Sequence, residues 1–260
     1  MQNRKDQNRI TLVVIAKNEE TNIVDCLSSW AELGPAFVVV DVFSDDSTAE
    51  LAAQMNAKVV KRKFDNFSKQ KNFGISLATT DWVFVLDADE RLSPELRAIL
   101  TTIKLSDSQS AYAVPRINYF LGKRVRFCGW SPDFVTRLFN KRECFFNNNL
   151  VHESIIGQKT TIKLKTPLIH FSYRTHDDID RKIEQYGRLG AKNMQRKHKS
   201  CPSIARVYAA SLWTIISTLT LKCGVFDGIT GLRVALMNGK TTFKKYSLYR
   251  QFVKRGVRSA

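Results

Sequence analysis

Four short apolar runs in the first hundred residues of this chain alternate with four segments of helical periodicity. The apolar runs predict strands over residues 10–16, 37–40, 58–60 and 82–86, and the segments between and after them predict helices over residues 22–33, 47–55, 68–78 and 94–103. The first and last runs are almost wholly apolar, which is typical of strands covered on both faces. This succession predicts an α/β fold, a mostly parallel sheet with helices on both faces.

Polar side chains follow three of these strands at their carboxyl ends. They are Asn18 and Glu19 after the first strand, Asp41 after the second, and Asp87 and Asp89 after the fourth. In open sheets of this class, ligands bind at the carboxyl ends of the strands. We therefore expect the binding site at this edge of the sheet.

The sequence LDADE at residues 86–90 places two carboxylates one residue apart at the end of a buried strand. Such side chains can converge on Mg²⁺ or Mn²⁺, which take oxygen ligands and usually keep waters and substrate phosphates as well. An isolated pair of this kind is more often a solvated acidic turn, so the surrounding motifs must decide between the two interpretations.

Two further residues before the fourth strand are open to two interpretations. The carboxylate of Asp41 can accept a hydrogen bond from a nucleobase or a ribose, but the SDDST sequence that follows shortly after it could equally be a helix-capping cluster. Lys71 lies in a predicted helix, where it faces either a nucleotide or solvent.

The rest of the chain changes in pattern and in charge. Residues 111–171 read as irregular strands, and the chain turns helical from residue 177. Residues 207–221 carry no charge, and as a helix they would reach only about 22 Å against a hydrocarbon core of about 30 Å, so they should not span a bilayer. They are either buried in protein or interfacial. Glycines at 224, 228 and 231 predict a break before a tail helix over residues 241–258.

The net charge of +17 is concentrated in the second part of the chain. Residues 1–110 have 13 Lys and Arg against 16 Asp and Glu, whereas residues 111–260 have 28 against 8. A field of one sign attracts nucleic acid or acidic lipid, although a soluble basic surface without a partner is the plainer alternative.

Two other classes of function fit the sequence less well. No zinc-finger, helix-turn-helix or RNA-stacking signature is visible, and a nucleic-acid-binding module would leave the acidic pair at residues 87 and 89 unexplained. A nucleotidyltransferase would more typically have a glycine-rich loop after the first strand, where this chain has AKNEE. Five scattered cysteines without a CxxC pair, and no signal peptide, suit the cytoplasm.

Taken together, the motifs of the first part resemble family 2 glycosyltransferases with a GT-A, Rossmann-like fold. The matching pieces are ITLVVIAKNEETNI (10–23), VVVDVFSDDST (38–48), NFSKQKNFGISLA (66–78) and DWVFVLDADE (81–90). The second part is similar to the bacterial lipopolysaccharide inner-core β-1,4-glucosyltransferases, which act on heptose. Its matching pieces are WSPDFVTRLFNK (130–141), LVHESI (150–155), HFSYRTHDDIDRKIEQY (170–186) and CGVFDGITGLRVALMNGKTTFKKY (223–246).

This resemblance implies a domain organisation. A GT-A domain over residues 1–175 would bind the nucleotide sugar through residues 1–110 and face the acceptor through residues 111–175. A helical, basic, membrane-associating extension would follow over residues 176–260.

The resemblance also implies a UDP-sugar donor, a divalent cofactor (Mg²⁺ or Mn²⁺) and roles for single residues. Asn18 and Glu19 belong to the nucleotide-sugar site. Asp41 contacts the uracil or its ribose, Asp87 contacts the ribose or a metal-bound water, and Lys71 adds a positive charge nearby. Asp89 binds the metal that bridges the diphosphate.

An inverting transfer also needs a general base to take the proton of the attacking hydroxyl. The candidates are Glu153, which follows His152 in LVHESI, and Asp133 in WSPDF. We favour Glu153, because Arg137 lies four residues after Asp133 and a salt-bridged carboxylate is a poorer proton acceptor. His152 either orients Glu153, hydrogen-bonds the donor phosphate, or is simply a loop histidine.

The resemblance implies transfer of glucose from UDP-glucose to a heptose of the lipopolysaccharide inner core, with another cell-envelope acceptor as the alternative. Residues 181–260 hold 17 Lys and Arg against Glu184 and Asp227. We therefore expect a cytoplasmic protein that is peripheral on the inner face of the cytoplasmic membrane. Its partners would be the lipopolysaccharide core and an anionic membrane surface, with no nucleic acid.

Overall fold

The first hundred residues form the predicted alternation of strands and helices. The computed structural model describes residues 10–105, 107–147, 154–197 and 200–255. The strands are β1 (Ile10–Ala16), β2 (Ala36–Asp41), β3 (Lys58–Arg62), β4 (Trp82–Asp87) and β5 (Glu90–Leu92). The helices are α1 (Glu20–Trp30), α2 (Thr48–Gln54), α3 (Phe67–Leu77) and α4 (Pro94–Thr102). Of these elements, only the short β5 lacks a counterpart in the sequence prediction.

The first four strands are parallel, in the order β3-β2-β1-β4. Successive side chains of β1 point to opposite faces. Leu12 packs in one apolar cluster with Trp30 of α1 and Leu96 of α4, whereas Val13 packs in a second cluster with Ile75 of α3. Helices therefore cover both faces of the sheet, and the predicted fold class is confirmed.

Helix α3 lies very close to the sheet because it carries a glycine at the contact. A Cβ atom at Gly74 would be 2.5 Å from Val13 Cγ1 and 3.1 Å from Val39 Cγ2. A larger side chain would push α3 outward, and α3 is the helix that carries Lys71.

The next part of the chain adds strands of mixed direction, five to the same sheet and two that form a separate two-stranded sheet. These strands are β6 (Ser110–Phe120), β7 (Lys123–Val125), β8 (Phe134–Asn140), β9 (Phe145–Phe146), β10 (Ile155–Ile156), β11 (Thr160–Lys163) and β12 (Leu168–Tyr173). The large sheet runs β3-β2-β1-β4-β8-β6-β12-β5, with β7 and β11 both pairing with β6. The antiparallel pairing of β5 with β12 sets Glu90 opposite His170, which brings a distant histidine to the LDADE sequence.

The end of the chain is helical, as predicted. It forms α5 (His176–Arg196), α6 (Ile204–Leu219), a 3₁₀ turn (Gly224–Asp227) and α7 (Gly228–Lys254). The predicted glycine break is wrong in its extent, because α7 begins at Gly228 and contains Gly231. At Gly231 a Cβ atom would overlap the carbonyl oxygen of Gly224, so this glycine permits a close approach rather than breaking the helix.

The chain divides into two compact units. Unit 1 comprises Met1–Ile117 and Asp133–His170, and unit 2 comprises Asn118–Pro132 and Phe171–Ala260. Unit 1 contains the strand-end carboxylates, and unit 2 contains α5, α6 and α7.

Candidate active site

The loops after β1 and β2 are hydrogen-bonded to each other. Asn18, in the left-handed backbone region with φ 53°, donates its N–H to Ser44 Oγ (2.8 Å) and its Nδ2 to Asp45 Oδ1 (2.7 Å). The N–H of Glu19 donates to Thr48 Oγ1 (2.8 Å). Asn18 and Glu19 thus lie at the predicted edge of the sheet and fix the shape of both loops there.

Asp41 ends β2 with its side chain buried. Its Oδ2 lies 3.2 Å from Lys17 Nζ, and its Oδ1 accepts a hydrogen bond from the N–H of Phe43 at 3.2 Å. The helix start involves Asp46 instead, whose Oδ1 accepts a hydrogen bond from the N–H of Thr48, the first residue of α2, while the N-cap residue Ser47 makes no side-chain cap. Asp41 is therefore a held carboxylate at the strand end and not part of a helix cap.

Asp87 is held between two buried cations. Lys71 Nζ lies 3.1 Å from its Oδ1, and Arg137 Nη2 lies 2.6 Å from its Oδ2. Burial alone would raise the pKa of Asp87, but the charges of Arg137 and Lys71 outweigh it and hold that pKa well below its usual range. Lys71 is only 4 % exposed, so the solvent-facing alternative for this residue is wrong.

A chain of alternating charges continues from Asp87 across the sheet. Arg137 Nη2 also contacts Glu90 Oε1 at 2.6 Å, and the Glu90 side chain is fully buried. Burial would lower the pKa of Arg137, but the charges of Asp87 and Glu90 outweigh it and raise that pKa. Arg116 then lies 3.2 Å from Glu90 and binds Asp133 Oδ2 through Nε and Nη2, each at 2.8 Å.

The predicted pair between Asp133 and Arg137 is wrong, since Arg137 contacts Asp87 and Glu90 instead. The spacing of four residues suits a helix, but this segment leads into strand β8, where four residues span about 13 Å. Antiparallel pairing of β6 with β8 sets Pro115 opposite Phe134, so Arg116 becomes the neighbour of Asp133. Asp133 is salt-bridged as expected, but by a different arginine.

Asp89 lies beside a histidine that the sequence motifs did not assign. His170 Nε2 is 3.5 Å from Asp89 Oδ2, and each side chain is 16 % exposed. Among the residues that the structure describes, no group of three or more His, Cys, Asp or Glu side chains could hold a metal ion. The Asp89 carboxylate still fits a hard cation that takes its other ligands from water and substrate phosphates, and the imidazole beside it is a ligand that suits transition metals.

Glu153 and His152 lie outside the described residues. The residues on both sides of that segment are well fixed, because Asn147 donates its N–H to the carbonyl of Ser154 at 3.0 Å. The Asn72 side chain exchanges two hydrogen bonds with the backbone of Phe146, at 2.8 and 2.9 Å. The Phe146 ring also lies 5.3 Å from Lys71 Nζ. The described chain next to this segment therefore contacts Lys71, one of the two cations that hold Asp87.

Lys71→Met should destabilise the fold, because it removes one of the two cations on Asp87 and leaves an unbranched side chain only one atom shorter. We expect the free energy of unfolding to fall by about 2 kcal/mol, the range for hydrogen bonds to charged groups. Lys69→Met, at an exposed position on the same helix, should change it by less than about 0.5 kcal/mol. Urea denaturation measures both variants, and equal losses would contradict this account of the cluster.

Comparison with known proteins adds four findings. The family model described as Glycosyl transferase family 2 matches residues 11–175. A glycosyltransferase of Rickettsia conorii is 27 % identical over 243 residues, which cover 88 % of this chain and 85 % of the relative. The lipopolysaccharide core biosynthesis glycosyltransferase LpsC of Rhizobium meliloti is 24 % identical over 258 residues, which cover 92 % of this chain and 93 % of the relative.

Among solved structures, residues 1–349 of S. aureus TarS with UDP align over 95 % of this chain and 92 % of that one, with 12 % identity and a TM-score of 0.49.

Proposed function

Because the chain belongs to glycosyl transferase family 2, we propose that it transfers glucose from UDP-glucose to a heptose of the lipopolysaccharide inner core, with inversion at the anomeric carbon. Similarity to LpsC over nearly the whole chain supports a lipopolysaccharide core acceptor. The motif resemblance described above supports the donor. The observation that carries the proposal is the set of held carboxylates at the carboxyl ends of β2 and β4.

Asp87 and Asp41 are the residues proposed to bind the nucleoside. Asp87 is kept anionic and oriented by Lys71 and Arg137, so it is a fixed acceptor for ribose hydroxyl groups. Asp41 is buried at the end of β2, which β1 separates from β4 in the sheet, and its carboxylate can accept from the uracil or its ribose. In this proposal the positive charge of Lys71 acts on the site by holding the Asp87 carboxylate in place.

Asp89 is the proposed metal-binding residue, and His170 is placed to share that role. A single carboxylate leaves most ligand positions to water and the diphosphate, as Mg²⁺ sites commonly do, whereas an added imidazole ligand suits a transition metal. When bound, such a metal supplies Lewis-acid stabilisation of the charge on the departing nucleoside diphosphate. The contact between Asp89 and His170 keeps both side chains in place for it.

The acceptor hydroxyl needs a general base. We propose that Glu153 takes its proton while the hydroxyl oxygen attacks the anomeric carbon and the bond to the diphosphate oxygen breaks. Asp133 is the second candidate, but its Oδ2 already accepts a hydrogen bond from Arg116 Nε and forms a salt bridge with Arg116 Nη2. His152 adjoins Glu153 in sequence and is proposed to orient it.

A donor panel with a defined acceptor tests the proposal. The full-length protein would be incubated with lipopolysaccharide truncated at the inner-core heptose and with UDP-glucose, UDP-galactose or UDP-N-acetylglucosamine. We expect glucose to be added, as the β anomer in the NMR spectrum of the product, and no product without the acceptor. Transfer from another donor alone would refute the choice of glucose. No transfer from any donor, together with a gel shift of DNA or RNA, would refute the proposal itself.

A further inference from the structure

Helix α6 of unit 2 exposes its apolar side, the reverse of a surface helix in a water-soluble domain. Tyr208, Leu212, Trp213 and Ile216 recur along one face and are 62, 57, 61 and 43 % exposed. The single charged residue of α6 is Arg206, in its first turn. A helix with this distribution leaves its largest apolar side chains in contact with the surroundings.

The side of α6 that faces α7 carries hydroxyl groups beside the side chain of Ile215. Ser211 Oγ donates to the carbonyl of Gly239 at 2.8 Å, and the hydroxyl groups of Thr214 and Thr242 lie 3.2 Å apart. A Cβ atom at Gly239 would be 2.5 Å from Ile215 Cγ1, so the two helices approach closely there. Small residues and hydroxyl hydrogen bonds between helices, with large apolar residues outside, are the pattern of helices packed in lipid.

The exposed apolar surface continues around the bend into α7. Leu221, Val225, Phe226 and Ile229 are 72, 57, 73 and 73 % exposed. We name the exposed apolar side chains of residues 208–236 the apolar wedge. Contiguous exposed surface of this kind marks an interaction site, because soluble proteins seldom leave it in water.

The segment that carries the apolar wedge is strongly basic. Residues 200–255 contain nine lysines and arginines against one acidic residue, Asp227. The carboxylate of Asp227 accepts hydrogen bonds from the backbone N–H groups of Arg126 and Phe127, so it is engaged inside unit 2. Anionic lipid headgroups complement such a segment, whereas a second copy of the chain would bring another set of cations against it.

Neither α6 nor α7 alone suits a straight crossing, because α6 is too short and α7 carries several lysines and arginines along its length. Within the described ranges, no single helix is long and apolar enough to cross a membrane, but Ile204–Leu219 and Gly224–Lys254, bent by 69°, meet the length and composition criteria as a pair. Helix α6 alone is about 24 Å long, against a hydrocarbon core of about 30 Å. We propose that the apolar wedge inserts into one leaflet of an anionic bilayer without crossing it. This inference holds whichever sugar the protein transfers.

Vesicle binding with lipid-phase quenching tests this insertion. Trp213 lies in the wedge, whereas Trp30 and Trp82 are buried in unit 1. With vesicles of phosphatidylcholine and about 30 % phosphatidylglycerol, we expect brominated acyl chains to quench the fluorescence of the full-length protein, and Trp213→Phe to remove that quenching. Once inserted, the protein should stay bound in about 1 M NaCl, where electrostatic attraction is screened. Release by salt without quenching would refute insertion.

Substitutions at the tip of the wedge separate lipid insertion from dimerisation through the same surface. Phe226→Glu and Ile229→Glu change highly exposed side chains, so both variants should fold, and each should lower vesicle binding by about tenfold or more. Ile162→Glu, which changes an exposed apolar side chain of β11 in unit 1, should bind like the unchanged protein. A dimer in sedimentation equilibrium that Phe226→Glu dissociates, with no binding to vesicles, would show that a second copy covers the wedge and would overturn the proposal.

Discussion

Asp89→Ala is expected to lower the rate of sugar transfer by about 10³-fold or more, because it removes the carboxylate proposed to hold a Lewis-acidic metal whose contribution is several kcal/mol. The midpoint of thermal unfolding should stay nearly unchanged. Asp89 follows β4 at the edge of the sheet, and its side chain lies outside the apolar clusters that hold the helices on the sheet. Initial rates with UDP-glucose and circular dichroism melting measure the two effects.

The matched control for this variant is Glu95→Ala, an exposed carboxylate in the first turn of α4. It should leave transfer unchanged, because α4 begins after β5 and Glu95 has no role in the proposed site. Full activity of Asp89→Ala in the presence of EDTA would show that neither this carboxylate nor a divalent metal is needed.

Glu153→Gln is expected to lower turnover by about 10²–10⁴-fold, the usual contribution of a positioned general base. The amide has the shape of the carboxylate but cannot take the proton of the acceptor hydroxyl. The Michaelis constant for the donor should stay nearly the same, because the base meets the acceptor. Steady-state kinetics with varied donor and acceptor separate the two constants.

Asp133→Asn is the comparison that ranks the two carboxylates. Its turnover should fall much less than that of Glu153→Gln, because the Asp133 side chain is already bound by Arg116. Normal turnover of Glu153→Gln together with a large loss in Asp133→Asn would reverse the ranking. The pH profile gives a second readout, since only the variant that lacks the base should lose the acidic limb of the rate.

Much of the fold could be predicted from local patterns. Strand β1 lies where its continuous apolar run places it, because a strand covered on both faces carries almost no polar residue. Helix α4 begins where the sequence predicts it, and Ser93 caps it there, with its Oγ accepting from the N–H of Leu96. The glycines near the start of α7 were misleading, because their effect depends on the contact between Gly231 and Gly224, which no local pattern records.

The part of the site that lies directly at the ends of the strands could be predicted from the sequence. Asp41, Asp87 and Asp89 lie at the carboxyl edge because parallel strands bring those ends together. The partners of these residues depend on strand register across long separations. The pairing of Asp133 with Arg116, and the approach of His170 to Asp89, follow from antiparallel pairs that single motifs cannot show.

Helix α6 illustrates a further limit. The sequence left two alternatives for its uncharged stretch, buried in protein or interfacial, because apolar residues occur around most of the helix. Only the packing on α7 shows which side is covered. That packing buries Thr218 and exposes Trp213, an outcome that hydrophobicity alone would not predict.

The central claim is that the carboxyl edge of the sheet in unit 1 binds the nucleotide of the donor. Isothermal titration of UDP into the full-length protein with Mg²⁺ tests it most directly. We predict one site that Asp89→Ala weakens by about tenfold or more, the loss expected when a metal ligand is removed, while Glu95→Ala binds normally. Equal affinity in the protein and in Asp89→Ala, or no binding of UDP to the unchanged protein, would contradict the claim.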